Sequence, residues 1–270
     1  MTSFVVNGEK HQIKKSDRIL FITGAGISKA SGLPTYWGEG GVYERHTEID
    51  IFKELSVENL ESNPGAVWDV LEPIYSMAAL AEPNVAHKVI ARIGREIQDC
   101  MVYTQQLDRL HHKAGSNPEQ VVEIHGTVAY ADCDHCARTG GNGTRLKRIE
   151  SVNLHEYNRH GCPVCPDCKS SLRPYVVPFG GRVDQQLIEK VDAFTKQPVD
   201  YVFIIGTRLS FTHMQHPVYD AHMSGAKIII VNPEDLNTAD NGFSMSMFDP
   251  SYYGLHARQK SEDFFDTFEF

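Results

Sequence analysis

The sequence predicts an α/β protein built on a doubly wound parallel sheet, with a second, smaller module inserted into it. Short apolar segments alternate with helical patterns along the chain, which is the order expected when helices join parallel strands. Two Cys-x-x-Cys pairs interrupt that alternation between Cys133 and Cys168 and indicate a separate module around a metal. A chain of 270 residues is long enough to hold both parts.

The predicted strands are short, mostly apolar runs that end on Gly, Thr, Gln, His or Asn, as expected for strands buried on both faces. They cover residues 18–23, 101–105, 121–126, 201–207 and 226–232. Helical patterns lie between them, for example at 84–97 and 217–225. Ligands of such sheets bind at the carboxyl ends of the strands, so we expect the functional residues there.

The first predicted strand runs directly into Gly24, Ala25 and Gly26, and Ser28 follows two residues later. Glycines let a backbone approach a ligand without interference from Cβ, and a helix that starts here offers free N–H groups to a phosphate. These four residues are therefore candidate ligands of a pyrophosphate. The dinucleotide fingerprint requires glycine at position 29, where Lys29 stands. A tight turn without a ligand explains the stretch equally well.

Five of the six cysteines are clustered. The pairs Cys133/Cys136 and Cys165/Cys168 are separated by 28 residues and can supply four thiolates to one closed, tetrahedral zinc site. A site without an open position is structural rather than catalytic. Cys162 also forms a Cys-x-x-Cys pair with Cys165, so the spacing alone leaves open which cysteine is spare.

Charge and hydropathy restrict the class of protein. A net charge of −9 argues against non-specific binding to nucleic acid or to an acidic membrane. No apolar run approaches the ~20 residues that cross a bilayer, and the N-terminus lacks a signal pattern. We therefore expect a cytoplasmic monomer with no membrane or direct nucleic-acid partner. Cys100 is expected to be a buried core residue, and 137–145 an exposed loop.

Several segments together resemble the sirtuin family. "GAGISKASGLP" is similar to the family's G-A-G-x-S-x-x-S-G-[IL]-P, and "TQQLDRLHHKAG" to its T-Q-N-[IV]-D-x-L-H-x-x-A-G. The segments "EIHGT", "CPDCKSSLRPYVVPFGG", "IIGTRLS" and "IIIVNPED" match later family motifs in the family's order. The resemblance covers about residues 18 to 235 and indicates the bacterial-type single-domain form.

The resemblance implies a large Rossmann-type domain for NAD, formed by residues 1–45, 83–126 and 174–270. A helical insertion at 46–82 and a zinc-binding module at 127–173 would form the small domain. In the family register the zinc ligands are Cys133, Cys136, Cys165 and Cys168, and Cys162 is the spare one. NAD and an acyl-lysine protein or peptide would meet in the cleft between the domains, with the peptide added as a strand between "VVPFG" and "GTRLS".

The resemblance also implies NAD-dependent lysine deacylation (deacetylation). The acyl oxygen attacks the ribose carbon as nicotinamide leaves, a histidine takes a proton from a ribose hydroxyl, and the acyl group ends on ADP-ribose. His125 is the base by position, and histidine suits that role because it titrates near neutrality. Outside the family motif, one of 13 histidines would more simply be structural.

The residues implied to contact NAD lie in the motifs that follow the strands: Gly24, Ala25, Gly26, Ser28, Pro34, Tyr36, Gln105, Gln106, Asp108, Gly206, Thr207, Arg208 and Asn232. A second set would contact the peptide: His125, Val177, Phe179 and Gly180. Gln106 and Asp108 would act with His125 in catalysis, Asp108 at the nicotinamide carboxamide and Gln105 at the ribose. Tyr36 would shield the reactive sugar, or is an ordinary packed loop aromatic.

Four positions depart from the family pattern. Trp37 stands where Arg is usual, Gln106 where Asn is usual, Arg208 in place of the Ser of G-T-S, and Gly181 in place of the Glu of F-G-E. The extra methylene of Gln106 moves its amide by more than the ~0.5 Å that a catalytic site tolerates. Arg208 could supply the cation that Trp37 lacks.

These departures keep two other classes open. One is an NAD glycohydrolase or ADP-ribosyltransferase, against which the intact peptide strip and zinc pairs argue. The other is a weakly active or non-catalytic module that binds NAD or acyl-lysine, against which the retained His125 and Asp108 argue.

The helical insertion bears on acyl preference. Relatives that remove acidic acyl groups carry Tyr and Arg at two positions that align with Leu71 and Ile74. Neither can pair with a carboxylate, so we predict a preference for neutral acyl groups. Together with Met77 they would line an apolar acyl site, or simply pack a helix whose register Pro73 is expected to interrupt.

Overall fold

The computed structural model describes residues 2–35, 48–139, 145–234 and 253–270. Its strands are β1 (Thr2–Val6), β2 (Glu9–Ile13), β3 (Ile19–Thr23), β4 (Cys100–Thr104), β5 (Val121–Glu123), β6 (Gly126–Asp132), β7 (Leu146–Arg148), β8 (Arg173–Val176), β9 (Tyr201–Ile205), β10 (Lys227–Val231) and β11 (Leu255–Ala257). Its α-helices are α1 (Glu48–Glu54), α2 (Val57–Ser62), α3 (Pro64–Leu80), α4 (Val85–Glu96), α5 (Leu110–Lys113), α6 (Asp134–Thr139), α7 (Gln185–Thr195), α8 (Thr212–Met223) and α9 (Ser261–Phe265). Short 3-10 helices are formed by Ala25–Ser31, Pro118–Gln120 and Ile149–Ser151.

Six strands form a parallel sheet in the order β11-β10-β9-β3-β4-β5. The chain enters this sheet in the middle, builds outward through β4 and β5, and then returns to build the other half through β9, β10 and β11. The order therefore reverses between β3 and β9, which is where such sheets bind their ligands. The predicted doubly wound parallel sheet is confirmed.

Both faces of this sheet are covered, as the apolar strands predict. Ile19 and Phe21 of β3 belong to the core on one face, and Leu20 and Ile22 belong to the core on the other. Helices α4 and α9 contribute to the first core, whereas α7 and α8 contribute to the second. Cys100 is buried at the start of β4, as expected.

Two predicted boundaries differ from the structure. The strand expected at 121–126 ends at Glu123, and a two-residue turn follows before β6 begins at Gly126. The helix expected at 217–225 already begins at Thr212 and contains Pro217 in its interior. Proline is favoured in the first turn of a helix, so the prediction wrongly took Pro217 as the helix start.

The small module combines helices with the cysteine-rich segment. Strands β7, β6 and β8 form an antiparallel sheet, and helices α1 to α3 share one hydrophobic cluster with that segment. The buried Trp68 indole of α3 donates a hydrogen bond to the Leu172 carbonyl (2.9 Å). This packing supports the predicted domain boundaries, which remain a prediction.

Helix α3 continues through Pro73, so the expected interruption there is wrong. Residues 137–139 lie in α6 rather than in the predicted loop.

An N-terminal hairpin of β1 and β2 was not predicted. Its turn is formed by Asn7 and Gly8, both with positive φ, and Asn-Gly between strands is the usual signal for such a turn. Phe4 of this hairpin is fully buried in the core, and Ser3 pairs with Glu269 near the other end of the chain.

Among the described residues, no helix is long and apolar enough to cross a membrane.

Candidate functional site

The loops that follow β3 and β9 touch each other through their glycines. The Gly26 amide donates to the Gly206 carbonyl (2.9 Å), and the Gly24 amide donates to the Ile205 carbonyl (3.0 Å). A Cβ on Gly26 would lie 2.6 Å from the Gly206 Cα, and one on Gly24 would lie 2.6 Å from the Thr207 Cβ. Contact between the loops therefore requires both glycines, whether or not a ligand binds.

A cavity of about 890 Å³ opens above these loops, between the carboxyl ends of the strands and the small module. Most of the predicted site residues line it: Ala25, Gly26, Gln105, Gln106, His125, Val177, Phe179, Gly180, Gly206, Thr207, Arg208 and Asn232. Helices α1 to α3 supply an apolar end, formed by Phe52, Leu55, Leu60, Val67 and Leu71. The site is thus polar on the sheet side and apolar on the small-module side.

A second, small cavity of about 40 Å³ adjoins the first and shares Ala25 and Gln106 with it. Pro34 and Asp108 line this small cavity. Of the remaining predicted NAD residues, Gly24 and Ser28 lie beneath the loop outside both linings. Tyr36, like Trp37, falls outside the described residues.

Asp108 is buried and accepts three hydrogen bonds. The donors are the Ser28 hydroxyl (2.6 Å), the Gln106 amide (3.0 Å) and the Leu110 backbone N–H (2.9 Å). Asp108 therefore ties the glycine loop to the segment after β4. The amide of Gln106 reaches this carboxylate despite its extra methylene.

Gln105 and Thr207 join the ends of the two halves of the sheet. The Gln105 side chain donates to the Thr207 hydroxyl (3.1 Å), and the Asn232 amide donates to the Thr207 carbonyl (3.4 Å). Residues that follow β4, β9 and β10 are thereby held in one row along the cavity. Arg208 forms an ion pair with Glu234 at 3.3 Å.

His125 lies on the turn between β5 of the large sheet and β6 of the small one. Its Nε2 is 3.0 Å from Nε2 of His213, and its ring packs edge-on against Phe211. Burial, with a smaller contribution from His213, lowers the pKa of His125 to about 3. The imidazole is therefore unprotonated at neutral pH and can accept a proton, but its pKa lies well below the neutral value expected from the sequence.

The predicted peptide strip is already hydrogen-bonded within the chain. The Phe179 amide donates to the Leu55 carbonyl (2.8 Å), the Phe179 carbonyl accepts from the Val57 amide (3.0 Å), and the Val177 amide donates to the His125 carbonyl (2.8 Å). Residues 55–57 thus occupy one edge of the strip. A peptide that pairs at Phe179 has to replace them.

The four predicted zinc ligands lie together. The Sγ atoms of Cys133, Cys136, Cys165 and Cys168 are all within 4.8 Å of one another. The distances Cys133–Cys168 (3.5 Å) and Cys136–Cys165 (3.9 Å) match the edge of about 3.8 Å expected for a tetrahedron with Zn–S bonds of about 2.3 Å. Cys162 is buried outside this group, and its Sγ lies near the His160 carbonyl. The donor set therefore fits a closed structural zinc site, with Cys162 spare.

Comparison with known proteins decides the family. The Sir2 family pattern matches residues 24–212, which contain both glycine loops, His125 and the four cysteines. The chain belongs to the Sir2 family. The predicted sirtuin resemblance is confirmed.

The NAD-dependent protein deacylase 2 of Pseudomonas aeruginosa is 35% identical to this Sir2 chain over 225 residues, 82% of this chain and 83% of the relative. A Sir2 structure with a deacetylated peptide and 3′-O-acetyl ADP-ribose is 25% identical, with a TM-score of 0.73, covering 93% of this chain and 92% of that one. A Sir2 protein bound to a propionylated peptide is also 25% identical, with a TM-score of 0.70 and coverage of 93% and 91%.

The site of this Sir2 chain contains residues that were not predicted: Phe52, Leu55, Leu60 and Val67 at the apolar end, and His213. His213 contacts His125 from the first turn of α8, and the two residues are 88 positions apart in the sequence. Nothing in the sequence distinguishes His213 from the other histidines, because only the folded sheet brings the two rings together.

Proposed function

We propose that this protein is an NAD-dependent protein lysine deacylase, which transfers the acyl group of a lysine to ADP-ribose and releases nicotinamide. The observation that carries the proposal is that one cavity joins the glycine loops, an unprotonated His125 and an apolar end. A dinucleotide and an acyl-lysine both have a place there. The curated relative and the peptide-bound structures of the family support the same reaction.

Each group of cavity residues has a proposed role in binding NAD or in proton transfer. Gly26, Gly206 and Thr207 line the cavity and would hold the pyrophosphate, and Asn232 would contact the adenosine ribose. Asp108 and Gln106 border the small cavity, which suits the nicotinamide. NAD, when bound, supplies the electrophilic ribose carbon and the hydroxyl that receives the acyl group. His125 takes the proton of that hydroxyl at Nε2.

The apolar end of the cavity favours deacylation over simple cleavage of NAD. Phe52, Leu55, Leu60, Val67 and Leu71 offer no hydrogen-bond partner to a nucleotide, but they suit a neutral acyl chain. An NAD glycohydrolase or ADP-ribosyltransferase has no need of this surface. A non-catalytic binding module has no need of an unprotonated base beside it.

The zinc site serves the fold. Four thiolates complete a tetrahedral site, so the metal holds the small module against the helices and has no position for a substrate. Thiols in this arrangement persist in a reducing compartment, and we propose a cytoplasmic monomer acting on acyl-lysine proteins.

The test is incubation of the purified protein with NAD and an acetyl-lysine peptide, followed by mass analysis. We expect equal amounts of free-lysine peptide, nicotinamide and O-acetyl-ADP-ribose. His125→Ala should lose the free-lysine peptide and O-acetyl-ADP-ribose, because His125 acts after nicotinamide has left. Free ADP-ribose formed equally well without peptide would instead support the glycohydrolase. Binding of NAD without turnover would support the non-catalytic module.

A further inference from the structure

His213 is held firmly against the candidate base. Its ring stacks on Phe211, with centroids 5.5 Å apart and planes at 18°, and its carbonyl accepts a hydrogen bond from the Tyr103 hydroxyl (3.2 Å). The next residue, Met214, is fully buried in the core. This anchoring directs Nε2 of His213 at Nε2 of His125, 3.0 Å away.

The contact between two Nε2 atoms has a defined polarity. Each imidazole nitrogen has one in-plane position, so the pair forms a hydrogen bond only when one Nε2 carries hydrogen. A hydrogen bond with the Gln105 backbone raises the pKa of His125. The proposed role of His125 as a base requires a lone pair on its Nε2, so we assign Nε2 of His125 as the acceptor and Nε2–H of His213 as the donor.

We propose that His213 is a positioning residue for His125, which holds the ring of the base and occupies its Nε2 lone pair until the ribose hydroxyl replaces it. The inference rests on the proposed role of His125. It explains how a base can be kept neutral and oriented in the free protein. It also means that the hydroxyl and His213 compete for one position, so the contact between the two Nε2 atoms breaks when the substrate enters.

After burial, His213 is the largest influence that lowers the pKa of His125. His213 is the ionisable side chain among the described residues whose charge acts on it, and burial lowers the pKa of His213 itself to about 4. The remaining charged side chains of the cavity lie on other segments: Lys29, Arg182, Arg208, Glu234, Lys260 and Glu262. A proton on either ring opposes a second proton on the other.

Titration of the histidine rings by NMR in the ligand-free protein tests this directly. His213→Phe keeps the ring stacked on Phe211 but removes the nitrogen, and we expect the midpoint of His125 to rise by about one pH unit. His213→Gln restores a neutral N–H donor, so its midpoint should lie below that of the phenylalanine variant. His216→Phe, on the exposed side of the same helix, is the matched control and should leave His125 unchanged.

The pH profile of kcat/KM for NAD provides the second measurement. It reports the ionisation of the free enzyme, so its acid limb should move to higher pH in His213→Phe and partly return in His213→Gln. Equal His125 midpoints in the wild type and in His213→Phe overturn the inference even if the enzyme is active. Absence of O-acyl-ADP-ribose from the wild type would instead refute the proposed function and leave the NMR result standing.

Discussion

Asp108 shows how one residue can carry both stability and function. Its two oxygens accept from a side chain of the glycine loop, a side chain after β4 and the backbone at the start of α5. It is buried, so each of these donors depends on the carboxylate for its partner. The loop of the site and the core beneath it are therefore stabilised by the same group.

We expect Asp108→Asn to lower the free energy of unfolding by about 1–3 kcal/mol, because an amide NH₂ then faces a buried donor. Deacylation should fall at least tenfold, since Gln106 loses the group that orients it. Ser28→Ala removes one donor only and should cost less on both measures. Urea unfolding and kcat/KM measure the two effects, and the exposed Asp69→Asn is the control. An Asp108→Asn protein with unchanged kcat/KM would contradict the role assigned to this carboxylate.

At the scale of elements, the sequence predicted the strands of the large sheet better than the contacts between elements. Buried parallel strands can be recognised in the sequence as apolar runs. For this reason β3, β4, β9 and β10 lie within about one or two residues of their predicted bounds. Pairing of residues 55–57 with Phe179 depends on how α1 and α2 are seated, which no local pattern encodes. The hairpin of β1 and β2 could have been predicted from Asn7 and Gly8.

The zinc module gives a prediction at this scale. Cys168→Ala should lose the metal and unfold the segment around β6 to β8, because binding of the metal contributes directly to the folding of such a site. Cys162→Ala should keep one zinc per chain, since its thiol lies outside the tetrahedron. Metal analysis and circular dichroism of both variants measure this. Loss of zinc from Cys162→Ala would show that the ligand set is wrong.

We expect helix α3 to contribute to the acyl preference. Leu71 lines the main cavity and Ile74 and Met77 line the small one, so the three do not form the single acyl site that was considered from sequence. Leu71 and its neighbours on α1 to α3 offer no cation to a carboxylate. We expect acetyl- and longer neutral acyl-lysines to be processed at least tenfold more efficiently than succinyl-lysine.

Matched peptides that differ only in the acyl group measure this preference as kcat/KM. A succinyl peptide that reacts faster than the acetyl peptide would contradict it and would direct attention to Arg182 or Arg208, which line the same cavity.

For the whole molecule, buried histidines make stability depend on pH. Burial lowers the pKa of His87 to about 3, and neither of its ring nitrogens has a hydrogen-bond partner among the described residues. In the unfolded chain His87 becomes protonated as the pH falls below about 6.5. In the folded chain it becomes protonated only when the pH falls to about 3. The stability that His87 contributes above pH 6.5 is therefore lost progressively as the pH falls towards 3.

Replacement of His87 by Leu should make unfolding less sensitive to acid. Between pH 6 and pH 4 the free energy of unfolding should fall less steeply than in the wild type, by about 1.4 kcal/mol per pH unit for the one proton removed. Urea unfolding at several pH values measures the slope. The exposed His155→Leu is the control and should keep the wild-type slope. Parallel curves for His87→Leu and the wild type would contradict the assignment.

The pairing of residues 55–57 with Phe179 would compete with a peptide that binds at the predicted strip. Each of its two hydrogen bonds contributes about 0.5–1.5 kcal/mol, so breaking both could weaken peptide binding by roughly tenfold or more. The Phe52 ring, 4.3 Å from that of Phe179, stabilises the same closed arrangement. If the peptide pairs at Phe179 as predicted, residues 55–57 would act as an internal pseudo-substrate strand, and selectivity among target proteins would depend on which of them can displace it.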